Sequence, residues 1–152
     1  MPRLLSQSRS QTQRVAKGVL NRLLKSKHRP IILALGGELG SGKTTFIQGL
    51  AKTLGIRAKV QSPTFVLMKW YALAKRFRPL RHFIHIDAYR LRRISEAKRL
   101  GLDKIFHNGE AVIAVEWAER VKKLIPRSAT WIQFKHSNKS HERSIKLVKR
   151  VK

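Results

Sequence analysis

Gly37-Glu38-Leu39-Gly40-Ser41-Gly42-Lys43-Thr44 follows the pattern G-x-x-x-x-G-K-[ST], and its flanks decide how it is read. Before it, Pro30-Ile31-Ile32-Leu33-Ala34-Leu35 is a short unbroken apolar run, the mark of a strand buried on both faces. After it, Thr44 to Leu54 carries Phe46, Ile47, Leu50, Ala51 and Leu54 at helical spacing, and Gly55 stands at the C-terminal stop. Strand, glycine turn and amphipathic helix in that order make a phosphate-binding loop. The glycines let the backbone curl with its N–H groups turned inward, where a Cβ would obstruct a phosphate oxygen. The helix that starts near Lys43 aims its positive dipole end at the same anion. Lys43 supplies a point charge to the β- and γ-phosphates, and the Thr44 hydroxyl is a ligand for Mg²⁺.

Outward from the loop, the chain alternates helices and strands. Ser10 is a candidate cap for a first helix whose apolar stripe is Val15, Ala16, Val19, Leu20, Leu23 and Leu24. Val60 to Tyr71 reads as extended, broken by Ser62-Pro63, and a basic loop runs from Lys75 to Arg81. His82 to Asp87 and Ala111 to Glu116 are strand-like runs that each end in an acid. Between them, Ser95 caps a short helix that stops at Gly101. Glu119 to Leu124 is helical up to Pro126, and Thr130 to Lys135 and Ser144 to Val148 read as late strands. The pattern predicts one α/β domain over residues 1–152, P-loop NTPase-like, with a mainly parallel central sheet flanked by helices. The basic tails 1–9 and 146–152 are expected to be flexible.

An NTPase of this architecture needs a carboxylate at the end of a neighbouring strand to hold its magnesium, directly or through water. Asp87 and Glu116 both occupy such positions, and spacing alone does not divide their roles. Ser62-Pro63-Thr64 has two open readings: a switch loop in which Thr64 senses the γ-phosphate, or a simple proline turn.

Composition limits the rest. The chain has 152 residues with 42% hydrophobic and 7% aromatic content, which fits a soluble globular domain. No cysteine is present, so disulfides, thiolate metal sites and cysteine nucleophiles are excluded. No apolar run approaches the roughly 18 residues that span a bilayer, and no signal-peptide stretch opens the chain, so the expectation is a cytoplasmic protein without a membrane partner. His82 and His85, three apart on a strand, face opposite ways and cannot share a zinc ion. Lys and Arg number 34 against 8 acids, a net charge of +26, which makes nucleic acid the first candidate partner.

Taken together, GELGSGKTTF, SPTF, HIDAYRL, LGL and VEWAERV, in that order and at these distances, resemble the bacterial TsaE (YjeE) family over roughly Ser10 to Arg143. That resemblance implies an ATPase of the tRNA threonylcarbamoyladenosine pathway, slow on its own. It would act with two partner proteins, TsaB- and TsaD-like, that modify the adenosine beside the anticodon. It implies that Leu39, Gly40, Ser41, Gly42, Lys43, Thr44 and Thr45 wrap the phosphates of ATP and that Thr44 and Glu116 hold Mg²⁺. Asp87 would be needed for hydrolysis, Thr64 would belong to a switch-like loop, and Trp117 would flank the nucleotide. Thr12 would contribute to the adenine pocket, with Arg143 near the base. Ser41 stands where the family more often has alanine and Ala88 where leucine is common, and the basic excess is this chain's own.

Lys75 to Arg81, Arg90 to Arg93 and Lys146 to Lys152 are the densest basic clusters, and Trp70, Tyr71 and Phe77 accompany the first. Direct tRNA contact is one reading of them and a solvated basic face the other. Two further functions stay open at the level of sequence: a small P-loop kinase with an arginine lid near Arg90, and an RNA-binding module that keeps the loop only as a fold element. A GTPase does not fit, because no N-K-x-D base-reading motif is present.

Overall fold

A computed structural model of the protein describes residues 3–63 and 67–148. Thr64 and the basic residues from 149 onward, both singled out in the sequence, lie outside the described residues. Among those described, the elements run β1 (Arg3–Ser6), α1 (Arg9–Lys25), β2 (Ile31–Gly37), α2 (Lys43–Thr53), β3 (Met68–Ala72) and β4 (His82–Asp87). Then come α3 (Ile94–Arg99), α4 (Leu102–Ile105), β5 (Ala111–Glu116), β6 (Thr130–His136) and β7 (Arg143–Val148).

All seven strands form one sheet in the order β1-β7-β6-β2-β5-β4-β3. The four central strands, β6, β2, β5 and β4, run parallel. The outer pairs β1–β7, β6–β7 and β3–β4 are antiparallel, so the sheet is parallel at its heart and mixed at its edges. The central strands are apolar on both faces because both are covered. One face packs Leu33, Leu35, Phe83, Val112 and Ala114 under α1 and α2. The other packs Ile32, Ala34, Ile84, Ile113 and Val115 under α3, α4 and the turn after β5.

Two expectations at the chain's start are corrected. Arg3–Ser6 is not a flexible tail but pairs antiparallel with β7, Ser6 against Arg143, and Ser6 is buried. The cap of α1 is Ser8, not Ser10: the Ser8 hydroxyl accepts from the Gln11 N–H at 3.1 Å. Smaller differences follow elsewhere. α3 begins at Ile94, with Arg93 rather than Ser95 at its cap, and Gly101 opens α4. Ala118–Val121 is a tight 3₁₀ turn, as is Lys75–Phe77.

α2 is fixed behind the phosphate loop by packing. Phe46 meets Phe134 of β6 edge to face, ring centres 5.4 Å apart, a geometry worth about 0.5–1.5 kcal/mol beyond burial. α1 crosses α2 closely: a Cβ at Gly49 would come within 2.7 Å of the Gln13 Cα and 2.9 Å of the Ala16 Cβ. Among the described residues, no helix is long and apolar enough to cross a membrane.

Candidate functional site

The C-terminal ends of the parallel strands open into a cavity of about 650 Å³. β2 delivers the loop that forms its floor. Gly37 has φ +139°, and a Cβ there would run into the Phe134 carbonyl, so the turn out of β2 is closed to other residues. Gly42, at φ +101°, opens α2 with no side-chain cap and no acid in the first turn. The first-turn N–H groups therefore have no intrahelical acceptor, and Lys43, Thr44 and Thr45 line the cavity.

Lys43 is buried. Its ammonium donates to the carbonyls of Gly37 and Glu38 and lies 4.3 Å from the centre of the Trp117 ring. Burial pushes it below the ordinary 10.5, while the carboxylates of Glu116, Glu119, Asp87 and Glu38 pull the other way. A lysine held out of water among carbonyls and a ring gains most from an anion that enters beside it.

The two strand-end acids are neighbours. β4 and β5 pair in register with Asp87 opposite Glu116, and both side chains are buried. The Thr44 hydroxyl donates to the Glu116 carboxylate, 3.1 Å from each oxygen. Asp87 accepts from the Ser62 hydroxyl at 2.6 Å and from the Tyr89 N–H at 2.9 Å. Thr44 and Glu116 are hard oxygen donors of the kind Mg²⁺ takes. Among the described residues, no three His, Cys, Asp or Glu side chains converge as a metal cage. That donor set fits an ion completed by phosphate and water oxygens, the usual condition of Mg²⁺.

Trp117 follows Glu116 in the left-handed region at φ 55°, which costs a non-glycine residue about 1–2 kcal/mol. The turn aims its ring at Lys43, and the Tyr89 ring lies 5.0 Å away on the same wall. Across the cavity, the entry to α1 and the start of β7 form the opposite wall. Thr12 is buried there with its hydroxyl 2.7 Å from that of Ser6, and Arg143 reaches past Gly42.

Of the residues singled out in the sequence, Leu39 to Thr45, Thr12, Asp87, Glu116 and Trp117 line this one cavity. Thr64 lies outside the described residues. Two participants escaped the sequence reading: His85 is wholly buried with Nε2 2.8 Å from Glu116 Oε1, and Tyr89 walls the tryptophan. Ser62, read only as part of the Ser62-Pro63-Thr64 loop, holds Asp87. For His85 the available signal was its alternation with Asp87, which puts both on one face of β4 beside Glu116.

A family model described as "Threonylcarbamoyl adenosine biosynthesis protein TsaE" matches residues 6–145. The chain belongs to the TsaE family. A TsaE relative from Bacillus subtilis, named tRNA threonylcarbamoyladenosine biosynthesis protein, is 42% identical over 106 residues, covering 70% of this chain and 62% of that protein. The chain thus aligns with about three fifths of the length of that TsaE protein. The Treponema pallidum TsaE protein is 32% identical over 133 residues, 88% of this chain and 90% of its own length. A crystal structure of Bacillus subtilis YdiB superposes on this TsaE fold with a TM-score of 0.73 at 30% identity, over 99% of this chain and 86% of that one.

Proposed function

We propose that this chain binds Mg-ATP in the cavity and hydrolyses it slowly, in support of the complex that forms N6-threonylcarbamoyladenosine beside the anticodon of tRNA. The observation that carries the reading is the Thr44–Glu116 contact, 3.1 Å across the start of α2 and next to the buried Lys43. In this reading Thr44 and Glu116 hold the magnesium ion. When bound, the ion would supply positive charge that neutralises the phosphate oxygens. The first-turn N–H groups of α2 and the Lys43 ammonium grip the phosphate tail, and Thr12 and Arg143 flank the base. Asp87, kept in one rotamer by Ser62 and Tyr89, positions the attacking water and takes its proton. Thr64 belongs to the loop that reads the γ-phosphate.

The pathway is supported by the family's description and the names of the relatives; TsaB- and TsaD-like partners and a contact with tRNA are part of the proposal. The setting that goes with it is the cytoplasm. The test is calorimetry and turnover on single variants. Thr44→Ala and Glu116→Ala should each weaken Mg²⁺-dependent nucleotide binding by about tenfold or more. Asp87→Ala should bind within a few-fold of the parent and turn over about 100-fold more slowly. Normal turnover by Asp87→Ala overturns the assignment.

A further inference from the structure

The cavity leaves one of the chain's dense basic clusters unused. Lys75 to Arg81 joins β3 to β4 at the end of the sheet where β4 begins, and Asp87 is at its other end. Five residues of strand, roughly 17 Å, separate them. The turn is tied down as a rigid platform: the Leu73 N–H donates to the Arg81 carbonyl at 2.8 Å, and the Arg81 N–H to the Glu110 carbonyl at 2.7 Å. Arg76 is spent on structure, its guanidinium 4.6 Å from the centre of the Phe77 ring and against Gly55. Lys75, Arg78 and Arg81 are exposed. Among the described residues, Arg81 with Glu110, at 3.6 Å and open to water, is the one ion pair of the patch. Beside these cations Trp70 is 47% exposed, its ring braced edge to face by His82, next in sequence to Arg81, at 5.4 Å.

We infer that this edge of the sheet is a binding surface for single-stranded RNA, with Trp70 stacking a base and Lys75, Arg78 and Arg81 of the adjoining turn meeting the phosphates. An exposed indole on the strand that leads into a turn of exposed cations matches a polymer that alternates π-faces with negative charge. The surface is separate from the nucleotide cavity, and only the choice of tRNA as a natural ligand rests on the function proposed above.

The test is fluorescence anisotropy with an end-labelled tRNA transcript and an end-labelled 12-nucleotide single strand across a salt series. Three proteins are set beside the parent: Lys75→Ala/Arg78→Ala/Arg81→Ala, Trp70→Ala, and Arg14→Ala/Lys17→Ala/Arg22→Ala, which removes equal charge from the outer side of α1. The first should flatten the slope of log affinity against log salt by about 2. Trp70→Ala should weaken the single strand about tenfold at unchanged slope. The α1 variant should stay within about threefold of the parent, since its charges act only through a screened field. Equal flattening by both triple variants overturns the proposal in favour of diffuse charge. Phosphatidylglycerol vesicles bound as tightly through the same residues overturn it in favour of a lipid surface. Mg-ATP binding, measured on the same samples, should be unchanged in all three variants; its absence from the parent would sink the ATPase reading and leave the RNA surface standing.

Discussion

At the scale of single residues, His85 shows how a side chain without direct access to the cavity controls one that has it. Its Nε2 is 2.8 Å from Glu116, while Nδ1 is buried and makes no hydrogen bond. The ring therefore donates through Nε2 and fixes the carboxylate plane that also receives Thr44. Partners of this kind, one step behind a metal ligand, usually cost about 10–100-fold in metal affinity when removed. His85→Ala should accordingly weaken nucleotide binding in magnesium by about 10–100-fold and leave binding in EDTA unchanged, both read by calorimetry. Asp87 and Glu116 were legible in the sequence because an acid closing an apolar run is a local signal. His85 was not, because its partner belongs to another strand, and the register of β4 on β5 is a product of folding.

At the scale of elements, the long periodic segments α1, β2, α2, β4 and β5 could be read from their own residues. The short edges could not. β1 contributes one buried side chain, Ser6, and β3 exposes Lys69, Trp70 and Ala72. Such strands exist because a neighbour supplies the hydrogen bonds, and no apolar pattern announces that. The same non-local cause moves the cap of α1. β1 stays paired with β7 through Ser6, the Ser6 hydroxyl meets Thr12, and the helix can then start only two residues on, with Ser8 at its cap. Ser8→Ala should cost about 1 kcal/mol and lower Tm by about 2–4 °C in a scanning calorimeter. Ser10→Ala, on the exposed first turn, should leave Tm within about a degree.

At the scale of the whole molecule, half of the acids are drawn to one end of the strands. Four of the eight acids, Glu38, Asp87, Glu116 and Glu119, gather at the phosphate end and act on Lys43 together. The far end carries the basic turn beside Trp70. The fold thus keeps an acid-lined cavity inside a chain of net charge +26. Composition gave the excess but not this sorting, which depends on where β3 and β4 turn.

The crossing of α1 over α2 at Gly49 has a reach well beyond the helices themselves. One methyl group there should cost about 1–3 kcal/mol of overpacking, read as a fall in Tm. The same change tips the start of α1, and with it Thr12, away from the loop, so Gly49→Ala should lose nucleotide affinity without touching a single ligand atom. A hydrogen atom at position 49 thus serves as the shim that sets the bore of a pocket it never lines.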